Sequence, residues 1–306
     1  MRKIAVAFFL LTLLTVAVSA QSTPTLRIVT DDPTLPSDLF YGNIKVKPLR
    51  LRPGTNVRIT IDDSDFFVQQ HYIDFLSRFP EQQGFQAWMN VLSTCNNDST
   101  CLYGPSGKRI LVSQSFFGSP EFNLKGGYVF RFYKESFART PTYAEMIADM
   151  RSVTGQTSNE VYAKKAAFTN AFVQRPEFTS AYGAMSNADY VAALMGHYSL
   201  SQINTPDPAQ PDGTNKVTLT IADLTSQLNA NTLTRAQVLR AIADSDQVTS
   251  AEFNSSFVYM QYVGYLRREP EPAGYNAWLS YLNSHPGDFN TMVWGFVDSQ
   301  EYRNRF

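Results

Sequence analysis

Residues 67–92 and 257–282 are two versions of one segment, and this constrains the chain more than any other feature. Phe67, Val68, Tyr72, Leu76, Arg78, Pro80, Glu81, Gly84, Ala87, Trp88 and Leu92 recur as Phe257, Val258, Tyr262, Leu266, Arg268, Pro270, Glu271, Gly274, Ala277, Trp278 and Leu282. Eleven identities over 26 ungapped positions exceed what shared helicity produces and mark a supersecondary unit used more than once. A fainter copy keeps Tyr128, Val129, Tyr133, Phe137, Arg139 and Pro141 at the same offsets. A fourth start falls at Tyr190-Val191, without the Arg or the Pro. The units close alike, on Glu121-Phe122, Glu177-Phe178, Glu252-Phe253 and Glu301-Tyr302. The reading is four units, 65–122, 126–178, 188–253 and 255–302.

Spacing within a unit predicts its fold. Val68, Tyr72 and Leu76 stand four apart, the stripe of one helix face, and Asp65 or Ser64 can cap that helix. Pro80 cannot continue it, so it stops near Arg78. Gly84 permits a turn there. Phe85, Trp88 and Leu92 begin a second helix, and Ile110, Val112, Phe116 and Phe117 suggest a third. Ser119-Pro120-Glu121 reads as an N-cap, a first-position Pro and a first-turn acid, the start of a short fourth. The fold class expected is mostly α, an array of helical-hairpin repeats with a small N-terminal β segment.

The string Tyr-x3-Leu-x-Arg-x-Pro-x3-Gly-x3-Trp is Tyr72, Leu76, Arg78, Pro80, Gly84 and Trp88, and again Tyr262, Leu266, Arg268, Pro270, Gly274 and Trp278. It resembles the bacterial domain of unknown function 4214, a phycobilisome-linker-like helical repeat. The match is specific at both ends, weaker in the middle and absent from residues 21–63. Phe79 and Gln82 depart from the family pattern, which Glu269 and Pro272 keep. The resemblance implies an all-helical exported bacterial module. It implies no reaction and no ligand.

Residues 1–20 place Arg2 and Lys3 before an apolar run that ends on Val18-Ser19-Ala20, the pattern of a cleaved secretory signal. The run is shorter than a spanning helix, so a secreted protein without a transmembrane anchor is expected. Export lets Cys95 and Cys101, in the polar CNNDSTC loop, form a disulfide. Residues 21–63 read as two or three strands over Leu26–Val29, Ile44–Leu51 and Val57–Ile61. The stretch 203–215 holds three Pro and two Asp and reads as a loop.

Candidates for chemistry each have a plainer reading. His71, His197 and His285 are too far apart for a metal pair, and His71 is expected on a helix surface. Asp62, Asp63 and Asp65 fit helix capping better than a calcium loop, and Asp207 and Asp212 are a similar case. Arg78, Arg139 and Arg268 precede or join Pro turns; they either pair with the unit's Glu or recognise an anion or acidic sugar. Pairing predicts Arg78 beside Glu121 and Arg268 beside Glu301. Trp88 and Trp278 at helical spacing read as core.

Charged residues make up 17% and aromatics 13% of the 306 residues, with net charge −1. That composition excludes disorder over most of the chain and gives no sign of nucleic acid. No catalytic, cofactor or metal signature is present. The expected function is that of a secreted non-catalytic repeat protein binding a surface polysaccharide or protein. The alternatives are a structural envelope component and a glycan-active enzyme. Two opposed carboxylates in a groove, one with a raised pKa, would favour the enzyme.

Overall fold

Capping residues and prolines divide the chain into short helices. A computed structural model describes residues 26–29, 38–41, 44–46, 51–52, 54–76, 78–119, 122–155, 157–210 and 215–306. The expected signal segment 1–20 lies outside the described residues, as do Pro120, Glu121 and Asp212. Strands β1 (Leu26–Val29), β2 (Asp38–Tyr41) and β3 (Ile44–Val46) form an antiparallel meander. Asp38–Tyr41 was not expected as a strand, and 57–61 contributes only an isolated bridge between Arg58 and Leu51.

Helices α1 (Ser64–Leu76), α2 (Gln82–Ser93), α3 (Ser99–Leu102) and α4 (Lys108–Phe117) make the first group. A π-helical turn, Asn123–Gly127, leads into α5 (Tyr128–Phe137), followed by α6 (Tyr143–Ser152), α7 (Ser158–Phe172) and α8 (Pro176–Tyr182). Next come α9 (Asn187–His197), strands β4 (Gln202–Pro206) and β5 (Lys216–Thr220), α10 (Ile221–Asn229), α11 (Arg235–Ala243) and α12 (Asp246–Ala251). Helix α13 (Phe253–Gln261) continues through a second π-turn, Tyr262–Leu266, and α14 (Pro272–Ser284), α15 (Phe289–Val297) and α16 (Gln300–Arg303) complete the chain.

The caps explain these limits. Thr142, Thr220 and Thr234 form reciprocal capping boxes with Glu145, Asp223 and Gln237, each satisfying two helix-end groups. Pro176 and Pro272 open α8 and α14, where the missing N–H costs nothing. The β4–β5 hairpin corrects the loop reading of 203–215. Gln202–Pro206 pairs antiparallel with Lys216–Thr220, and Pro206 is tolerated at the strand end.

The first and last groups pack directly on each other through α4 with α15 and α1 with the second π-turn. Phe75 lies 4.8 Å from Tyr265 and Phe117 5.1 Å from Phe257, in edge-to-face pairs. Gly264 makes the crossing possible, because a Cβ there would overlap the Phe75 ring. The middle groups pack likewise, α11 against α5 and α7, around Phe132, Phe168, Phe172 and Phe178. Phe130 and Tyr259, 5.3 Å apart, join the two halves. An open line of units would leave the first and last apart, so the arrangement differs from a simple array.

Candidate functional site

The recurring arginines are bound within the protein. Ala138 and Arg267 end their helices in the left-handed conformation, at φ 50° and 53°, and turn the chain so that the next residue folds back. Arg139 and Arg268 thereby sit 4.9 and 5.2 Å over the Tyr133 and Tyr262 rings, and Arg78 sits 4.9 Å over Tyr72. Arg268 donates to Glu301 at 2.7 Å and to Glu271 at 2.6 Å. Arg139 grips Glu177 at 2.7 Å and Glu145 at 2.9 Å. Arg78 holds Glu81 at 2.5 Å; its expected partner Glu121 lies outside the described residues. The Arg268–Glu301 pairing is as expected. Burial pushes the Glu145 carboxyl up, but Arg139 and Thr142 outweigh it and bring it down to about 2.

The glycine of the motif has a different role from the one expected. Gly84 and Gly274 lie inside α2 and α14, not in a turn. A Cβ on either would collide with Glu81 and the Tyr72 hydroxyl, or with Glu271 and the Tyr262 hydroxyl. In the second group Glu145 comes from within its helix, at the position equivalent to those glycines, so no glycine is needed. Tyr72, Leu76 and Tyr262 are buried, while Leu266, Pro80 and Pro270 are half-buried. Trp88 and Trp278 are half-buried against Phe116 and Phe296. They edge the core rather than fill it, because α2 and α14 lie outermost and each buries only its Leu, Leu92 or Leu282.

Three closing aromatics, Phe122, Phe178 and Tyr302, are buried, whereas Phe253 is exposed. The third closure was misplaced by five residues. Ser245 caps α12 by accepting the Val248 N–H, as Ser119 accepts from Phe122 and Ser299 from Tyr302. Val248, wholly buried, takes the aromatic's place. Gln247 takes the acid's place, and its side chain accepts the Asn204 N–H. The group without the arginine thus also lacks its carboxylate.

Cys95 and Cys101 form a disulfide. The acids around the start of α1 are neutralised by Arg52, bound to Asp63 and Asp65, and by Arg303, bound to Asp62. Ser64 and Asp65 are the first two residues of α1, so neither is its cap; Asp63 precedes them and accepts the Thr60 N–H. His71 is buried, not on a surface. Its Nδ1 donates to the Phe67 carbonyl, so Nε2 accepts from Ser113 at 2.6 Å, and Ser113 in turn bonds Tyr265. Burial pushes the His71 pKa down to about 4, and the neutral chain has a structural role. His197 bonds the Glu135 carbonyl, and His285 is exposed beside Tyr281.

Glu135 and Glu252 are a buried carboxyl pair. Burial and the neighbouring Glu252 push Glu135 up to about 8. Tyr198 donates to Glu252 at 2.8 Å. Both groups are sealed beneath the surface, so neither can reach a glycosidic oxygen. The pair does not meet the condition for a hydrolase.

An open groove of about 630 Å³ runs between α7 and α11, with residues 208–210 as its third wall. Tyr162 on α7 donates to the Gln210 carbonyl at 2.5 Å, and Gln237 on α11 donates to the Pro208 carbonyl at 3.1 Å. These two bonds fix the wall to both helices. Arg240 lies 4.0 Å over the Tyr162 ring. Asn159, Thr169, Asn170, Thr234 and small alanines complete the lining, and no carboxylate lines it among the described residues. Beneath it Asp244 holds Lys165 at 3.2 Å and Arg131 at 3.1 Å, with Arg240 at 3.7 Å. Burial pushes the Asp244 carboxyl up, but those three cations outweigh it and keep it below its ordinary value. Sequence reasoning missed this groove. Its visible trace is Lys165, a cation in the stripe Val161, Phe168 and Phe172.

The described residues therefore form a mostly α protein with a disulfide and an amide-lined groove. The model of a domain family of unknown function (DUF4214) matches residues 246–306, the segment from α12 onward. No curated protein and no solved structure matches the chain.

Proposed function

We propose that this is a secreted, non-catalytic binding protein that holds a cell-surface polysaccharide in the α7–α11 groove. We propose also that its four helical groups descend from one repeated unit of the kind at residues 246–306. The groove lining carries the reading: an aromatic ring, amides and hydroxyls without a carboxylate. Amides and hydroxyls suit sugar hydroxyls, and a lining without carboxylates lacks the carboxyl pair of the usual glycoside hydrolase. Export accords with the disulfide, since such bonds persist in oxidising compartments.

Affinity electrophoresis of the full chain through gels carrying soluble polysaccharides tests this. Retention by at least one polymer, lost on Tyr162→Ala and without release of reducing ends, is the expected result. Release of reducing ends would make the protein an enzyme, and no retention in any gel would refute the reading. A second reading rests on β1 and β3, each paired on one side only among the described residues. Such edges can pair with other chains, as in a structural envelope component.

A further inference from the structure

We propose that the groove selects an anionic sugar, whose oxyanion is received by the Arg240 guanidinium; this rests on the groove being a polysaccharide site. The charges under the groove do not balance. Arg131, Lys165 and Arg240 converge on a single carboxylate, Asp244. Lys165 and Arg131 take both of its oxygens at hydrogen-bond distance, through Oδ2 and Oδ1 respectively. Arg240 is left 3.7 Å away through Nε, an ion pair beyond hydrogen-bond reach. Asp207, the other carboxylate bordering this corner, turns back to accept the Ala209 N–H at 2.9 Å.

The surplus cation is the one that lines the groove. Arg131 and Lys165 are buried, whereas Arg240 is half-buried. Its place 4.0 Å over the Tyr162 ring holds the guanidinium at the groove wall. A stacked guanidinium keeps a planar edge of donors that suits a carboxylate or sulfate in bidentate fashion. Lys165 meets the same imbalance: burial foremost, with Arg131 and Arg240 close by, brings its pKa down to about 8 against the one negative charge of Asp244, and a second negative charge is wanting. An incoming oxyanion would supply it. The motif arginines cannot take this part, since Arg139 and Arg268 already grip two carboxylates each.

The test compares polygalacturonate, dextran sulfate and neutral dextran by isothermal titration at low and moderate salt. The acidic polymers should bind about tenfold or more tighter than dextran, the effect of one charge-assisted contact, and lose that margin as salt rises. Arg240→Gln should abolish the margin, so that the acidic polymers and dextran then bind alike. Arg240→Lys keeps the charge without the fork, and should retain part of the margin even where the Gln variant folds poorly. Polygalacturonate exceeding dextran sulfate would assign the site to carboxylates, and equal binding to oxyanions generally; both outcomes support the proposal. Equal binding of all three polymers, unchanged in the Arg240 variants but lost in Tyr162→Ala, would overturn the charge selection and leave the groove as a neutral-sugar site. Absence of binding to every polymer would overturn the groove reading itself.

Discussion

At the scale of single residues, two positions show how packing sets chemistry. Glu135 is wholly buried, its two carboxyl oxygens have no hydrogen-bond partner, and its pKa is raised from 4.5 to about 8. Around it stand Glu252, Tyr198 and Tyr182, with Lys134 paired to Glu252. Its folded pKa lies above the unfolded one, so the folded state binds the proton more tightly. The resulting stability is fully present below pH 4.5 and is lost as pH rises toward 8, at no more than about 1.4 kcal/mol per pH unit. His71 works in the opposite sense. Its pKa falls from 6.5 to about 4, so its contribution is present above 6.5 and is lost as pH drops toward 4. The two slopes oppose each other near pH 5–6; the Glu135 loss dominates from 6.5 to about 7.5, above which Lys165, its pKa down from 10.5 to about 8, adds stability as pH rises and opposes it. Urea unfolding from pH 6.5 to about 7.5 should show falling stability in the wild type and a flatter profile in Glu135→Gln. An equally steep profile in the variant would refute this. Gly84 and Gly274 make the second case. Alanine at either must displace a glutamate and a tyrosine hydroxyl, which predicts a loss of about 1–3 kcal/mol, the usual cost of overpacking. A melting temperature within a degree of wild type would show that the neighbours can move.

At the scale of elements, the repeated Arg–Glu forks join the end of one helix to the start of others. Arg139 and Arg268 are about one-third exposed, and their outer partners Glu177 and Glu301 about half exposed, so screening limits each bond. Arg268→Ala should cost about 0.5–2 kcal/mol, a range set by several charge-assisted bonds discounted for exposure. The loss should shrink at high salt, which denaturation with and without about 0.5 M NaCl would reveal. Much of this scale was legible in the sequence. The Tyr-Leu-Arg-Pro spacing showed a helix, a stop and a returning cation, because helical period and proline act locally. The third closure was misread because a Glu-Phe pair five residues too late imitated the motif. The true closure keeps only the Ser cap, with Val248 in the aromatic's place. The β4–β5 hairpin was hidden by its proline-rich connection. The groove was not legible, since α7, α11 and the 208–210 wall are distant in sequence and meet only after packing. The position of Lys165 among apolar neighbours was its one local trace.

At the scale of the whole molecule, stability depends on the first and last groups closing on each other. Asp74 on α1 is the pivot. Its side chain is 1% exposed and lies between Arg305 at 2.9 Å and Arg267 at 3.4 Å, with Gln70 donating at 2.8 Å. Arg305 also donates to the Gly264 and Tyr265 carbonyls, the orphan end of the second π-turn. One guanidinium thus satisfies a buried carboxylate from the first group and backbone acceptors from the last. In the sequence repeat Asp74 aligns with Gly264. The two copies have therefore diverged so that one supplies the charge and the other the space for Phe75. Arg305→Ala leaves Asp74 buried with weaker compensation and the carbonyls unpaired, and should cost about 3–5 kcal/mol, as for a broken buried pair. Asp74→Asn with Arg305→Met removes both charges and should recover part of that loss, because buried pairs are often replaceable by apolar groups together. Because the contact spans both ends of the described helical region, Arg305→Ala should lower the main unfolding transition itself. Calorimetry decides the point. A separate early transition with the main one unmoved would mean that the first and last groups are independent of the rest, and that closure is not what holds the molecule together.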